Sequence, residues 1–258
     1  MGRGFGVAAA VSHDVIREIA SEAEQLGYSS FWCNDTPGAD GLAGLAVAAS
    51  VTERIKLGVG VIPLDRRPAD SIADDVSALG LPQDRLLLGI GSGRDARTSK
   101  VREGIERLHE RVSSPIIVGA LGPKMTSLGG SVGDGVLFNW QTPQNARESG
   151  QICRDAANEA GRSAPLVMAY VRTALTPQAQ ERLVTEAGRY SEIPAYAAHF
   201  ERMGVPAIDT AVSGPDGAAL QPALAEHEAA LDEMVVRAIT ADDSAESILE
   251  LLRACAPQ

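Results

Sequence analysis

The stretch of sequence that decides the fold is residues 56–90, KLGVGVIPLDRRPADSIADDVSALGLPQDRLLLGI. Its first run, Lys56–Ile62, is apolar and β-branched and therefore predicts a strand, and its last run, Arg85–Ile90, predicts a second strand. Between them, Ala69–Leu79 carries apolar residues at helical spacing, which predicts a helix. A strand, a helix and a strand in succession indicate two parallel strands joined by a helical crossover.

The same alternation extends along the whole chain. Each of the eight predicted strands is followed by at least one predicted helix, and the strands are Gly4–Ala10, Ser29–Cys33, Lys56–Ile62, Arg85–Ile90, Pro115–Gly119, Gly135–Trp140, Pro165–Leu175 and Glu233–Ile239. Eight such units in 258 residues favour one (β/α)8 barrel domain over residues 1–258, because about 250 residues is the usual length of that fold. An open parallel sheet is the structural alternative, and Val205–Val212 is either an extra strand or a helical connection.

Composition and charge narrow the function classes. Hydrophobic residues make up 45% of the chain and charged residues 22%, as in ordinary globular proteins. The net charge of -11 repels nucleic acids and anionic membranes, so we expect neither as a partner. The three widely spaced cysteines predict no disulfide framework and no metal site, and they suit reduced thiols in the cytoplasm. His109, His199 and His227 fall in predicted helices and are expected at the surface.

Five segments resemble a known family. They are Ala23–Trp32, Thr52–Val61 with Arg67-Pro68, Leu88–Arg94, Val118–Met125 with Asp134-Gly135, and Asn139-Trp140 with Thr142-Pro143. Their order and spacing resemble the luciferase-like monooxygenases and the related deazaflavin (coenzyme F-420-dependent) oxidoreductases, from about residue 5 to residue 175. Family members usually run longer, so this chain resembles a compact member with shortened insertion loops. Its substrate pocket is then either more open than usual or completed by a partner subunit.

Residues at the carboxyl ends of the strands are the candidates for function, since that face carries the active site of such barrels. In Gly119–Lys124, Gly-Ala-Leu-Gly-Pro-Lys, small residues let the backbone approach a phosphate, and Pro123 opens a helix whose positive dipole end attracts anions. In the family, the corresponding loop holds the cofactor phosphate. A tight strand-to-helix turn is the alternative interpretation. The glycines of Gly91–Arg94 permit a similar approach, although such a pair is more often a turn.

The resemblance also implies a non-proline cis peptide bond between Gly60 and Val61, in a bulge behind the flavin ring. Close packing inside the barrel is the alternative reason for glycine there. The predicted cofactor-binding residues are Gly60, Val61, Gly91, Ser92, Gly93, Arg94, Gly119, Ala120, Leu121, Gly122, Pro123, Lys124 and Arg172.

Two residues are predicted to be catalytic, Asp35 and Trp140. Family members often place a polar or acid–base residue near Asp35, but Thr36 stands where some deazaflavin-using members have His, which weakens any histidine-based mechanism. Asp35 alternatively caps the next segment together with Asn34. Trp140 either stacks on the cofactor or packs at the barrel mouth. Arg172 either pairs with an anion or bridges to a nearby carboxylate.

The resemblance implies an oxidoreductase that moves a hydride between coenzyme F-420 and a small organic substrate. The Ala-, Gly- and Arg-rich composition favours the deazaflavin, because it resembles proteins of high-GC bacteria in which that coenzyme is common. An FMN-dependent monooxygenase is the first alternative. A cofactor-free barrel that serves as an accessory or binding protein is the alternative from another class. Because family members often dimerise, a homodimer is expected.

Overall fold

The computed structural model describes residues 2–8, 10–94 and 97–257. Its strands are β1 (Gly2–Val7), β2 (Ser30–Cys33), β3 (Lys56–Pro63), β4 (Leu86–Gly91), β5 (Ile116–Ala120), β6 (Gly135–Asn139), β7 (Leu166–Ala174), β8 (Val212–Ser213) and β9 (Glu233–Ile239). Its helices are α1 (His13–Gln25), α2 (Gly41–Ala49), α3 (Ala69–Ala78), α4 (Thr98–His109), α5 (Pro123–Ser131), α6 (Pro143–Glu159), α7 (Pro177–Ser191), α8 (Pro194–Met203), α9 (Gly217–Glu228) and α10 (Ala245–Ala254).

The strands close into a ring. They pair in the order β1-β2-β3-β4-β5-β6-β7-β9, and β9 pairs with β1 again, with every one of these pairs parallel. The predicted (β/α)8 barrel is therefore confirmed. The short strand β8 lies outside the ring and pairs only with the end of β7. The ambiguous stretch 205–212 contains a 3-10 turn, Ala207–Thr210, and leads into β8.

Most element boundaries agree with the prediction to within a few residues, and the differences have local causes. The Ala-rich sequence Ala39–Val51 predicts a helix, but α2 begins at Gly41, because the Asp40 carboxylate caps it by accepting from the Leu42 N–H at 2.9 Å. The first strand ends at Val7 rather than Ala10. The amphipathic sequence Ala96–Val112 predicts the fourth helix, and its expected first residue, Ala96, lies outside the described residues.

The interior of the barrel is filled by a few large side chains that project between glycines. Trp32 and Tyr170 meet edge-to-face, with their ring centroids 5.8 Å apart. A Cβ atom on Gly58 would collide with the Trp32 ring, and one on Gly60 would collide with Tyr170. The rest of this interior cluster is aliphatic or thioether: Leu87, Ile117, Leu137, Met168 and Val235. The lower barrel is thus a packed core rather than a pore.

Polar groups at the amino-terminal end of the barrel are paired. The Trp32 Nε1–H donates to Ser30 Oγ at 2.7 Å, and Ser30 in turn donates to the Glu233 carboxylate. All three residues are buried, so this chain satisfies the indole and the hydroxyl without water.

A second layer lies between the barrel and its helices. Ile16, Leu45, Ile72, Ile105 and Leu252, each from a different helix, are buried there among outward-facing strand residues. The three cysteines are buried, unpaired thiols, and burial raises the pKa of Cys33 and of Cys255 to about 12. Across the described helices, none combines the length and the apolar character needed to cross a membrane.

Two of the histidine predictions were wrong. His199 and His227 are buried instead of exposed, because each lies on the inner face of its helix. The His199 Nε2 atom is bonded to the Trp140 carbonyl oxygen at 2.8 Å, whereas His227 Nδ1 has no hydrogen-bond partner among the described residues. His109 is at the surface as expected, 2.8 Å from Asp134.

Replacing Gly58 by alanine should destabilise the barrel, because the new methyl group would collide with a fully buried indole that cannot move away. We expect a loss of about 3 kcal/mol, as for overpacked cores. Gly188→Ala is the matched control. It adds the same methyl group in open space at an exposed position of α7 and should stabilise by about 0.5–1 kcal/mol. Urea unfolding measures both, and similar effects of the two variants would contradict this account of the interior.

Acid should weaken the fold partly through His227. Burial lowers the pKa of His227 to about 4, whereas in the unfolded chain it is about 6.5. As the pH falls below 6.5 the unfolded chain binds a proton that the folded protein refuses, so we expect about 2 kcal/mol to be lost between pH 7 and pH 5. His227→Gln should reduce this loss, while His13→Gln, at an exposed site, should not. Equal pH dependence of unfolding in wild type and His227→Gln would disprove the assignment.

Candidate active site

A bulge in β3 forms the centre of the barrel mouth. The peptide bond between Gly60 and Val61 is cis, as the resemblance implied, and the register of β3 against β4 shifts between Val59 and Ile62. The partly exposed Val61 side chain lies over two glycines of neighbouring strands. A Cβ atom added to Gly91 would stand 2.9 Å from the Val61 side chain, and one added to Gly119 would stand 3.1 Å from it. These two glycines therefore make the space that Val61 occupies.

Two residues that the sequence analysis did not assign to the site hold this bulge. Asn34 Nδ2 donates to the Gly60 carbonyl oxygen at 2.6 Å, and Arg237 Nε donates to Asn34 Oδ1 at 2.8 Å. Asn34 follows β2 and Arg237 lies near the end of β9. Each stands two residues beyond an inward-facing residue of its strand, Trp32 and Val235, so the period-2 alternation of strands could have placed both inside the mouth.

Asp35 is engaged by neighbouring loops. Its carboxylate forms an ion pair with Arg66, lies 3.4 Å from Arg67 and accepts from the Gly41 N–H at 3.0 Å. The side chain is only 1% exposed. Asp35 thus accepts from the first residue of α2, as the alternative to catalysis expected, although Asn34 takes no part and Asp40 is the N-cap of that helix. Asp35 also ties the segment after β2 to that after β3. Its catalytic role stays a prediction.

Arg172 and Trp140 form one buried unit on the other side of the mouth. Arg172 Nε lies 2.7 Å from a Glu186 carboxylate oxygen, and the guanidinium carbon lies 3.7 Å from the centroid of the Trp140 ring. Trp140 is 1% exposed. Burial by itself would raise the pKa of Glu186, but Arg172 and Arg237 outweigh burial and lower it. Two alternatives were given for each residue. The structure shows Arg172 bridged to the Glu186 carboxylate and Trp140 packed against the Arg172 guanidinium. Direct roles in cofactor binding and catalysis stay predictions.

The α7–α8 pair covers this side of the mouth. Asn139 Nδ2 donates to the Tyr196 hydroxyl at 3.0 Å, and the Tyr196 ring lies 4.7 Å from the Tyr190 ring. Tyr190 in turn lies 5.2 Å from Trp140. The two helices are therefore fixed on the ends of β6 and β7 by aromatic packing and by a hydrogen bond.

The loop after β5 has the features of an anion site. Gly122 precedes α5 with an extended backbone, φ −138° and ψ 166°, and no side chain caps the helix. Lys124 is exposed in the first turn. Arg202 of α8 donates to the Leu121 carbonyl oxygen at 2.9 Å and is a second cation at this loop. Arg202 is distant in sequence, so no local motif could have identified it.

The loop after β4 is committed to a turn. Gly93 has a positive φ of 66°, and the Arg94 N–H donates to the Asp65 carboxylate at 2.8 Å. A Cβ atom on Gly93 would collide with the same carboxylate. The turn interpretation of residues 91–94 therefore accounts for Gly93. The contribution of Gly91, Ser92, Gly93 and Arg94 to cofactor binding stays a prediction.

Solved structures share this fold. The coenzyme F-420-dependent tetrahydromethanopterin reductase of Methanopyrus kandleri superposes with a TM-score of 0.76 at 19% identity, covering 99% of this chain and 98% of that one. An F-420-dependent secondary alcohol dehydrogenase, in complex with an F-420–acetone adduct, gives 0.76 at 16% identity, covering 98% of each chain. The oxygenating constituent of 3,6-diketocamphane monooxygenase from Pseudomonas putida, in complex with FMN, gives 0.66 at 16% identity, covering 100% of this chain and 99% of that one.

Sequence comparison gives the family. A curated relative, the 5,10-methylenetetrahydromethanopterin reductase of Methanolobus tindarius, is 29% identical over 197 residues, which are 61% of this chain. This chain spans 60% of that relative's length. The model of the luciferase-like monooxygenase family matches residues 3–111 and 97–256, nearly the whole chain. The chain therefore belongs to the luciferase-like monooxygenase family.

Proposed function

We propose that the protein is an oxidoreductase that binds coenzyme F-420 noncovalently and moves a hydride between it and a small organic substrate. One observation carries the proposal. Gly119 of β5, two residues before the anion-site loop begins at Leu121, lies directly against the Val61 side chain of the bulge. An apolar shelf for a flat ring and a cationic loop for a phosphate are therefore contiguous, which is the combination that a flavin-type cofactor requires.

The residues present fit such a cofactor. Val61 is partly exposed at the mouth, where it would support the face of the ring. Gly122 leaves the approach to the α5 amino terminus open, and Lys124 and Arg202 would balance the phosphate charge together with the positive end of the α5 dipole. When bound, the deazaflavin ring supplies the carbon that donates or accepts the hydride.

The protein's own residues would orient the ring and exclude water. The Asn34 amide fixes the Gly60 carbonyl, so the bulge that carries Val61 keeps its position. Helices α7 and α8 close the side of the mouth above Asn139. A fixed, water-poor site favours hydride transfer, because it holds the donor and the acceptor in contact and suppresses side reactions.

The choice of F-420 rests on relatives. The two F-420-dependent neighbours superpose with a TM-score of 0.76, against 0.66 for the FMN-bound monooxygenase. The FMN-dependent monooxygenase is the second candidate, because FMN also joins a flat ring to a phosphate. An accessory barrel without cofactor is the third candidate. The support for this candidate comes from three predicted site residues, Asp35, Trp140 and Arg172. Their side chains already form ion pairs or pack against each other, which leaves fewer of their groups for a cofactor.

Parallel fluorescence and absorbance titrations with F-420 and with FMN distinguish these candidates. We expect F-420 to bind with a dissociation constant on the order of 1 μM and FMN to bind at least about tenfold more weakly. Tighter binding of FMN would instead assign the monooxygenase chemistry. If neither cofactor bound up to about 1 mM, where the binding free energy is only about -4 kcal/mol, the redox function would be excluded in favour of the accessory role.

The variant Gly122→Ala tests the loop without disturbing the fold. Its backbone is extended, and the new Cβ atom would meet only the end of the flexible Arg202 side chain, at 3.4 Å. The melting temperature should therefore stay unchanged. The methyl group should hinder the phosphate and weaken F-420 binding by about tenfold, or about 1.4 kcal/mol. Gly188→Ala serves as the control, because its methyl group lies in open space on the exposed side of α7, and it should bind F-420 as wild type does. Unchanged binding to Gly122→Ala would place the phosphate elsewhere.

A further inference from the structure

Arg237 is a half-buried cation that makes no direct ion pair with any carboxylate of the described residues. It lies at the inner side of β9, where its Nε donates to Asn34 and its Nη1 donates to the Ala238 carbonyl oxygen. Within the part of the chain that the structure describes, no carboxylate oxygen lies within 4.0 Å of its guanidinium. Its Nη2 makes no hydrogen bond to the same residues, and the Arg237 side chain is partly exposed. One face of this guanidinium is therefore available at the mouth.

A second unused donor lies nearby. The Tyr170 hydroxyl is buried against Gly60 and has no hydrogen-bond partner among the described residues. Burial raises the pKa of Tyr170, and the positive charge of Arg237 opposes that rise only in part. The hydroxyl is therefore protonated and able to donate. A buried hydroxyl without a partner costs about 1–3 kcal/mol, so a ligand that accepts from it recovers free energy.

The charge balance also calls for an anion. Arg172 and Arg237 stand opposite each other in register on β7 and β9, and Glu186 is the carboxylate that acts on both. Glu186 contacts Arg172 directly at 2.7 Å. The partly buried unit of two guanidiniums and one carboxylate carries a net positive charge. Burial without full compensation lowers the pKa of Arg237, and the nearby Arg172 lowers it further.

We propose that Arg237, with the Tyr170 hydroxyl beneath it, forms a binding site at the floor of the mouth for a planar anionic group, a carboxylate or its equivalent. Arginine presents two parallel N–H groups to such a group, and both unused groups are donors. Anion binding itself follows from the site alone. The assignment of the anion to a substrate rests on the proposed function. The other source of the same chemistry is the negatively charged edge of a bound cofactor ring.

Sodium benzoate and its neutral isostere benzamide test the proposal, with binding followed by tryptophan fluorescence and by thermal shift in the absence of cofactor. We expect benzoate to bind to wild type with a dissociation constant of about 1 mM and benzamide to bind at least about tenfold more weakly. Arg237→Gln should weaken benzoate binding by about tenfold or more, the range for hydrogen bonds to a charged group. Arg253→Gln, which removes a cation from exposed α10, is the control and should bind as wild type.

The variant Tyr170→Phe keeps the ring and removes only the unpaired hydroxyl. It should weaken benzoate binding by about threefold or more without lowering the melting temperature. If Arg237→Gln does not fold, benzoate binding to Tyr170→Phe and to Arg237→Lys, which keeps the charge, tests the proposal instead. Benzoate and benzamide binding equally, or benzoate binding unchanged in Tyr170→Phe and in both Arg237 variants, would overturn the proposal.

A repeat with saturating F-420 identifies the source of the anion. If benzoate still binds with F-420 present, the site recognises the substrate and the substrate class is a small carboxylate. If F-420 displaces benzoate from wild type, the anion is the edge of the cofactor ring. If F-420 does not bind at all, the proposed redox function fails, while benzoate binding that depends on Arg237 still establishes the anion site.

Discussion

The rest of the structure depends on one steric constraint, the packing of Trp32 and Tyr170 between glycines inside the barrel. Neither ring fits unless Gly58 and Gly60 lack side chains. The two rings meet edge-to-face and fill the width of the lower barrel, where smaller side chains would leave voids that cost stability. Because Tyr170 rises directly under Gly60, the same packing determines where the bulge of β3 can lie. The interior core and the candidate site are therefore two levels of one arrangement.

Above these rings, the mouth is organised by a chain of polar contacts. Asn34 links the Gly60 carbonyl to Arg237 through two hydrogen bonds. Glu186 interacts electrostatically with both Arg237 and Arg172. This chain links the bulge on one side to the α7–α8 cover on the other. A half-satisfied network costs more than an apolar core, so its unused donors, at Arg237 and Tyr170, point to function rather than to stability.

The fold was predictable from the sequence because its signal is local and repeated. Each strand and helix carries its own periodicity, and Gly60 and Gly119 stand where the family pattern expects them. Of the candidate site, only backbone features such as the cis peptide bond between Gly60 and Val61 could be predicted. Asp35, Trp140 and Arg172 lie at or near the carboxyl ends of β2, β6 and β7, while their functional roles stay predictions. Their partners come from distant segments. Glu186 lies on α7 and Arg66 follows β3, and no spacing rule within one element reveals such pairs. The buried His227 was missed because α9 has a weakly amphipathic sequence that does not mark its inner face.

The electrostatic character of the mouth opposes that of the whole molecule. The chain carries a net charge of -11, yet the residues around the mouth include Arg172, Arg202 and Arg237, and of these Glu186 forms a direct ion pair with Arg172. Because exposed charges are screened beyond about 10 Å at 0.1 M salt, the distant acidic surface has little effect on a ligand already inside the mouth. There the local cations act at short range and in a medium of low polarity, where each is worth more than in water. We therefore expect the mouth to favour anionic ligands in spite of the acidic surface, and to do so by contact rather than by long-range steering.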